Sequence, residues 1–368
     1  MRASRRCVLS ITALACAAVA RSAGAQGGVM LQGIADAEFW STDTMSTFLR
    51  RNAGDPGAMG RLQLWTAAEP LRGLVIYAYG LAERGPACAS PETELEQAGV
   101  RYTASRHLVF DAGKISSPLG EFANRRFSTR NPLIGEPDAY PVQYPTGAQV
   151  SGAARVVDYT VAIVDLPFYH EGYTPDPSRS WRAVARLGIT PVIGVRVGAS
   201  YTQGAYLNDG FSAAQLQQKS WDSYKQRVSA LDLAASFGFF ELNAEAGWSS
   251  YDVPQHATAV DGMAYYVEGK YTLTPRLFVA TRLERNDYPF IDAFGNNWVG
   301  TKTDFHNEEY GVGFRVTAST LAKASYRTDA WHVNPSNSAF VLPGGHAFAF
   351  QLSQSFDVMD WIDRARLR

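Results

Sequence analysis

What is scarce in this chain narrows its identity first. Only three cysteines occur among 368 residues: Cys7, Cys16 and Cys88. Cys7 and Cys16 fall in a leader described below, so Cys88 stands alone and no internal disulfide is expected. After that leader, no apolar run reaches the roughly 20 residues a spanning helix needs. Charge of one sign is also missing, with 34 Lys and Arg against 35 Asp and Glu. That balance argues against a nucleic-acid surface. Hydrolytic motifs are absent: no Gly-x-Ser-x-Gly surrounds a serine, and no His-Glu-x-x-His occurs. No cofactor is expected, and the chain is not expected to be an enzyme.

The leader is a predicted secretory signal over residues 1–25. Arg2, Arg5 and Arg6 precede a short apolar stretch from Cys7 to Ala20, and Ala23-Gly24-Ala25 forms a small-x-small cleavage site. Removing its four arginines leaves 30 basic against 35 acidic residues, a net charge near −5.

What remains is rich in two-residue alternation. In MAYYVEGKYT, residues Tyr265, Val267 and Tyr271 share one face, while Tyr266, Glu268 and Lys270 share the other. In RLFVATRLER, residues Leu277, Val279, Thr281 and Leu283 oppose Arg276, Arg282 and Glu284. Side chains alternate along a strand, so Thr274-Pro275 joins two strands that each have an apolar and a charged face. The pattern recurs at 31–40, 59–67, 72–83, 93–103, 106–114, 147–154, 157–166, 181–189, 193–203, 225–237, 240–251, 262–273, 276–287, 305–317, 320–331 and 345–356. Short and long connections alternate between these segments. That rhythm predicts an all-β, antiparallel up-and-down transmembrane barrel over 26–356, apolar outside and polar inside. The count is about sixteen strands, within a range of fourteen to eighteen, because the fourth to sixth are the weakest.

Aromatic residues give a second signal. Trp181, Tyr201, Trp248, Tyr251, Tyr288, Phe305, Tyr310 and Trp331 lie near long-loop ends, and Phe110, Tyr159, Phe237, Phe240 and Phe356 near short-turn ends. Two girdles at the membrane interfaces are the expected reading.

Three segments carry a family likeness: FANRRFSTRNPLIGEPDAYPVQYP (122–145), YVEGKYTLTPRLFVATRLERNDYPFI (266–291) and HAFAFQLSQSF (346–356). They resemble Gram-negative outer-membrane porins, distantly those of the phosphate-selective family. The resemblance implies an outer-membrane channel for passive diffusion of small hydrophilic solutes or ions, mildly anion-preferring, and a homotrimer. Its partners would be outer-membrane lipids and lipopolysaccharide. Porins usually end on an aromatic residue. Here residues 357–368 follow Phe356, either extending the last strand to Trp361 or forming a short periplasmic tail.

The third long connection, 115–146, is the candidate constriction. It carries Glu121, Arg125, Arg126, Arg130, Glu136 and Asp138, and it is stiffened by Pro118, Pro132, Pro137, Pro141 and Pro145. Its placement is open: folded into the lumen, lying on the surface with its charges paired, or meeting lipopolysaccharide phosphates. The resemblance sets acids of this loop against bases of the wall. Arg196, Lys270, Arg282, Arg315, Lys323 and Arg327 are the candidate bases, with Glu241, Glu245, Glu268 and Glu284 as acids among them. Asp36, Glu38 and Asp232 also fall on polar faces. His306-x-Glu308-Glu309 and His170-Glu171 read as solvated groups, so no metal site is expected. Two other functions stay open: a phospholipase-like barrel enzyme and a plugged structural or adhesive barrel.

Overall fold

The computed structural model describes residues 28–43, 56–85, 91–137, 144–165, 180–207, 212, 214, 216–254, 256–287, 292–293, 296–297, 305–331 and 344–360. The signal, Cys88, Asp138, His170, Glu171, Tyr288 and Trp361 lie outside these residues. The two-residue alternation becomes sixteen antiparallel strands closed into one barrel. They are β1 (Val29–Thr42), β2 (Gly57–Leu71), β3 (Leu74–Arg84), β4 (Glu92–Ser105), β5 (Leu108–Lys114), β6 (Thr146–Ala154), β7 (Val157–Val164) and β8 (Arg182–Val192). There follow β9 (Val195–Ala205), β10 (Lys225–Phe237), β11 (Phe240–Tyr251), β12 (Val260–Thr272), β13 (Leu277–Asp287), β14 (Phe305–Arg315), β15 (Thr320–Trp331) and β16 (Gly345–Asp357). A separate pair of two-residue bridges, Asp292–Ala293 with Asn296–Asn297, lies between β13 and β14 in sequence.

Every barrel strand pairs with its neighbours in chain order, and β16 closes onto β1 with Glu38 opposite Gln351. All sixteen predicted strands are present. Two short turns sit further along than predicted, at Arg72-Gly73 and Ile193-Gly194. In each the glycine holds positive φ, +79° and +89°. Glycine adopts that conformation without a Cβ clash, so the turn forms around it and the preceding strand runs on.

Strand parity sets the two faces. On β12 and β13, Val267 pairs with Leu283 outside, and Glu268 pairs with Arg282 inside. Leu187, Val161, Ile163, Leu231, Val279 and Leu352 stand exposed on the outer wall. An apolar belt of this extent on a closed barrel suits lipid rather than water. Trp181, Tyr201, Trp248 and Tyr310 are exposed at the long-loop end, and Phe110, Phe237 and Phe240 at the short-turn end. Two aromatic residues depart from the girdle expectation. Phe305 is buried, and Tyr251 stacks edge-on against Tyr206 with ring centroids 5.1 Å apart. Tyr251 shares its strand parity with Glu245, and Phe305 with Glu309, so both rings turn inward.

The long connection between β5 and β6 folds into the barrel. It contains one turn of 3-10 helix, Phe122–Asn124. Its apolar side chains drive this placement. Ile115, Leu119 and Phe122 pack with Val184 and Tyr266 of the wall, and with Tyr206, Leu207, Leu216 and Tyr224 beyond β9. Ile134 packs with Trp40, Ala347 and Ala349. Burying such side chains contributes roughly 1.5–3 kcal/mol each.

Candidate functional site

Because the barrel interior is polar, the inward loop meets charge on nearly every side. Glu121 is gripped by two wall arginines, with Arg186 at 2.7 Å and Arg196 at 2.9 Å. These same arginines also reach Asp232, at 2.8 and 3.1 Å. The Glu121 amide donates to Glu245 at 3.0 Å. Arg125 bonds Glu268 at 2.7 Å and the Tyr266 hydroxyl at 3.3 Å. Ser128 donates to Asp36 at 2.6 Å.

Two wall cations hold the loop's middle. Lys323 Nζ donates to three loop carbonyls: Ser128 at 2.9 Å, Asn131 at 3.1 Å and Leu133 at 2.8 Å. Arg282 reaches Glu284 at 2.8 Å, Glu309 at 2.7 Å and Glu268 at 3.3 Å, and it donates to the Gly135 carbonyl at 2.8 Å. Glu309 completes the clasp by accepting from the Ile134 and Gly135 amides, at 3.2 and 3.0 Å. Arg282 is fully buried and Lys323 nearly so. Ions so placed are tolerable only because each is surrounded by partners.

The opposite side of the loop is different. Arg126 faces Glu136 at 3.4 Å and Glu96 of β4 at 3.5 Å. It also donates to the Tyr144 hydroxyl at 3.2 Å and stands over that ring. Burial pushes the Tyr144 hydroxyl up to about 12, against the opposing pull of Arg126. Beyond this row, Arg61 bonds Glu83 at 3.2 Å, and Arg101 bonds Asp111 at 2.9 Å. Part of this row is solvated, with side-chain exposure of 51% at Arg101, 38% at Glu136, 30% at Glu83 and 63% at nearby Glu94, whereas Arg126 at 12%, Glu96 at 9% and Asp111 at 2% are largely covered. The clasp at Arg282, Glu284 and Glu309 has 0%. The most exposed charges therefore lie between the loop and β2–β5, and the Arg282 clasp is dry, while Glu121 and Asp158 at 30% and Glu241 at 44% are also accessible on the β7–β11 side.

The remaining predicted residues are distributed as follows. Lys270 bonds Glu241 at 2.7 Å near the short-turn end. Arg327 is buried beside the loop at Gly135. Arg315 is exposed at the short-turn rim and, among the described residues, makes no ion pair. Arg130 is exposed and does not join the clasp. Sequence reasoning missed Arg61, Glu83, Glu94, Glu96, Arg101, Asp111, Asp158 and Arg186, and it read Glu309 as solvated although strand parity turns it inward to be fully buried against Arg282. Parity was the available signal for several: Glu309 alternates with Tyr310, and Arg186 with Leu187. Among the described residues, no group of three or more His, Cys, Asp or Glu is placed to hold a metal.

A closed sixteen-stranded antiparallel barrel with its long third loop inside is a porin-like fold. Solved structures of that fold match nearly the whole chain. OmpF of Salmonella typhi, solved in complex with daunomycin, matches with 12% identity and a TM-score of 0.61, over 89% of this chain and 97% of that one. The anion-selective porin from Comamonas acidovorans matches with 11% identity and a TM-score of 0.58, over 90% and 100%. OmpT of Vibrio cholerae matches with 12% identity and a TM-score of 0.58, over 90% and 98%. At these identities the likeness is one of fold. No protein-family model matches the chain, and no curated protein matches its sequence.

Proposed function

We propose that this protein is an outer-membrane channel through which small hydrophilic solutes and ions diffuse passively. The observation that carries this reading is the solvated charged strip between the loop and β2–β5, inside a barrel with an apolar exterior. Its long-loop end holds Arg61, Glu83 and Glu94. Arg126, Glu136 and Glu96 form the constriction, and Arg101 with Asp111 stand nearer the short-turn end. Bases and acids paired along the wall and on the loop make a polar path that suits hydrophilic solutes. With five acids against three arginines, this strip supports a weak cation preference rather than an anion preference. In this reading Arg125, Glu121, Arg282 and Lys323 fix the constriction from behind instead of lining it. The short turns face the periplasm and the long loops the exterior. Purified protein in a planar lipid bilayer should give stepwise ion current. Absence of such steps in correctly folded protein would reject the channel.

A further inference from the structure

Beneath the loop, towards the short turns, a cavity of about 570 Å³ opens beside β1 and β2. Its walls combine apolar rings with one distinctive cation. Trp65 stacks on Tyr79 with centroids 4.8 Å apart and planes 4° from parallel. Phe127 of the loop meets Trp65 edge-on at 4.9 Å. Trp65, Phe127 and Ile34 all line the cavity, and so does Arg130. The Arg130 guanidinium stands 6.0 Å over the Phe127 ring and donates to the Asn124 carbonyl at 3.3 Å. Among the described residues it makes no ion pair, whereas Arg125 and Arg126 of the same loop are both bound to carboxylates. Asp357 also borders the cavity, and its carboxylate keeps its negative charge while fixed by hydrogen bonds. Gln32 donates to it at 3.0 Å and the Met359 amide at 2.9 Å.

An exposed guanidinium without a carboxylate partner offers a planar fork to one. Aromatic walls beside it favour a ring stacked or held edge-on. The volume falls within the roughly 300–1,000 Å³ of small-molecule sites. We propose that this cavity is a binding site for small aromatic carboxylates, with Arg130 taking the carboxylate and Trp65 and Phe127 the ring. The site deepens the channel reading and rests on it, since it places a solute directly below the constriction.

The test is equilibrium dialysis of radiolabelled benzoate against the detergent-solubilised full chain, with acetate and maltose as comparison ligands. Benzoate should bind saturably and roughly tenfold or more tightly than acetate, a difference that ring contacts can supply. Arg130→Gln should weaken benzoate about tenfold, as expected for loss of a charge-assisted contact. Arg130→Lys should recover part of that loss, and Trp65→Leu should weaken benzoate several-fold. Equal binding of benzoate and acetate, unchanged binding in Arg130→Gln, or saturable maltose binding without benzoate binding would each overturn the site. Binding is read without current. A channel that fails to conduct yet binds benzoate therefore rejects the channel and not the site.

Discussion

Replacing Arg282 by Leu should destabilise the folded barrel by about 3–5 kcal/mol, the range for stranding buried charge. The guanidinium touches Glu268, Glu284 and Glu309 and holds the Gly135 carbonyl. Leucine would remove the cation shared by Glu268, Glu284 and Glu309, leave Glu268 to Arg125, and release one end of the loop's tether. Glu309 also accepts two loop amides, so repulsion there would spread into the loop. Arg282→Lys should recover only part of the loss, because one ammonium cannot reproduce the planar, multi-point contact. Guanidinium-induced unfolding of the detergent-solubilised protein measures this. A loss under about 1 kcal/mol would place the clasp among exposed pairs of little consequence.

The second large effect concerns selectivity. Converting Glu83, Glu94 and Glu136 together to Gln removes the three most exposed acids of the strip, at 30%, 63% and 38% side-chain exposure. Arg61, Arg101 and Arg126 then keep only the buried Glu38, Asp111 and Glu96 as partners. The reversal potential in a tenfold salt gradient should move strongly towards chloride, approaching the roughly 59 mV limit for a monovalent ion. These residues lie on the loop's solvated side, so the fold should survive the change. The corresponding changes at Glu268, Glu284 and Glu309 should instead damage stability, because those carboxylates neutralise Arg282.

Most of the barrel was legible in the sequence because strand parity is a local property. Val267, Glu268 and Gly269 report their faces without knowledge of any partner. The same rule places Tyr251 and Phe305 inside, and there it outranks the tendency of rings to collect at interfaces. The site was less legible. A list of inward charges does not say which of them meet water. Arg282 and Lys323 share a wall face with many polar residues, yet the loop buries both. Their loop partners are far away in sequence: Arg282 holds a carbonyl 147 residues earlier, Lys323 caps carbonyls 190–195 residues earlier, and Arg125 pairs across 143 residues. The path of the third loop decides all of these contacts. That path depends on apolar anchors such as Phe122, Leu119 and Ile134, which carry no periodic signal. Trp65 was missed for a related reason: it shares its face with Arg61 and Gln63, but only Phe127 and Tyr79 make it part of an aromatic cluster.

The proposed channel requires solutes to pass between the loop and β2–β5, at Glu136. The most direct measurement is single-channel current through a Glu136→Cys, Cys88→Ser chain before and after adding a thiol-reactive trimethylammonium reagent. Stepwise current should fall when the reagent attaches, because bulk and positive charge then enter the constriction beside Arg126. Current that is unchanged after complete modification, or no current from the folded chain, would contradict this route.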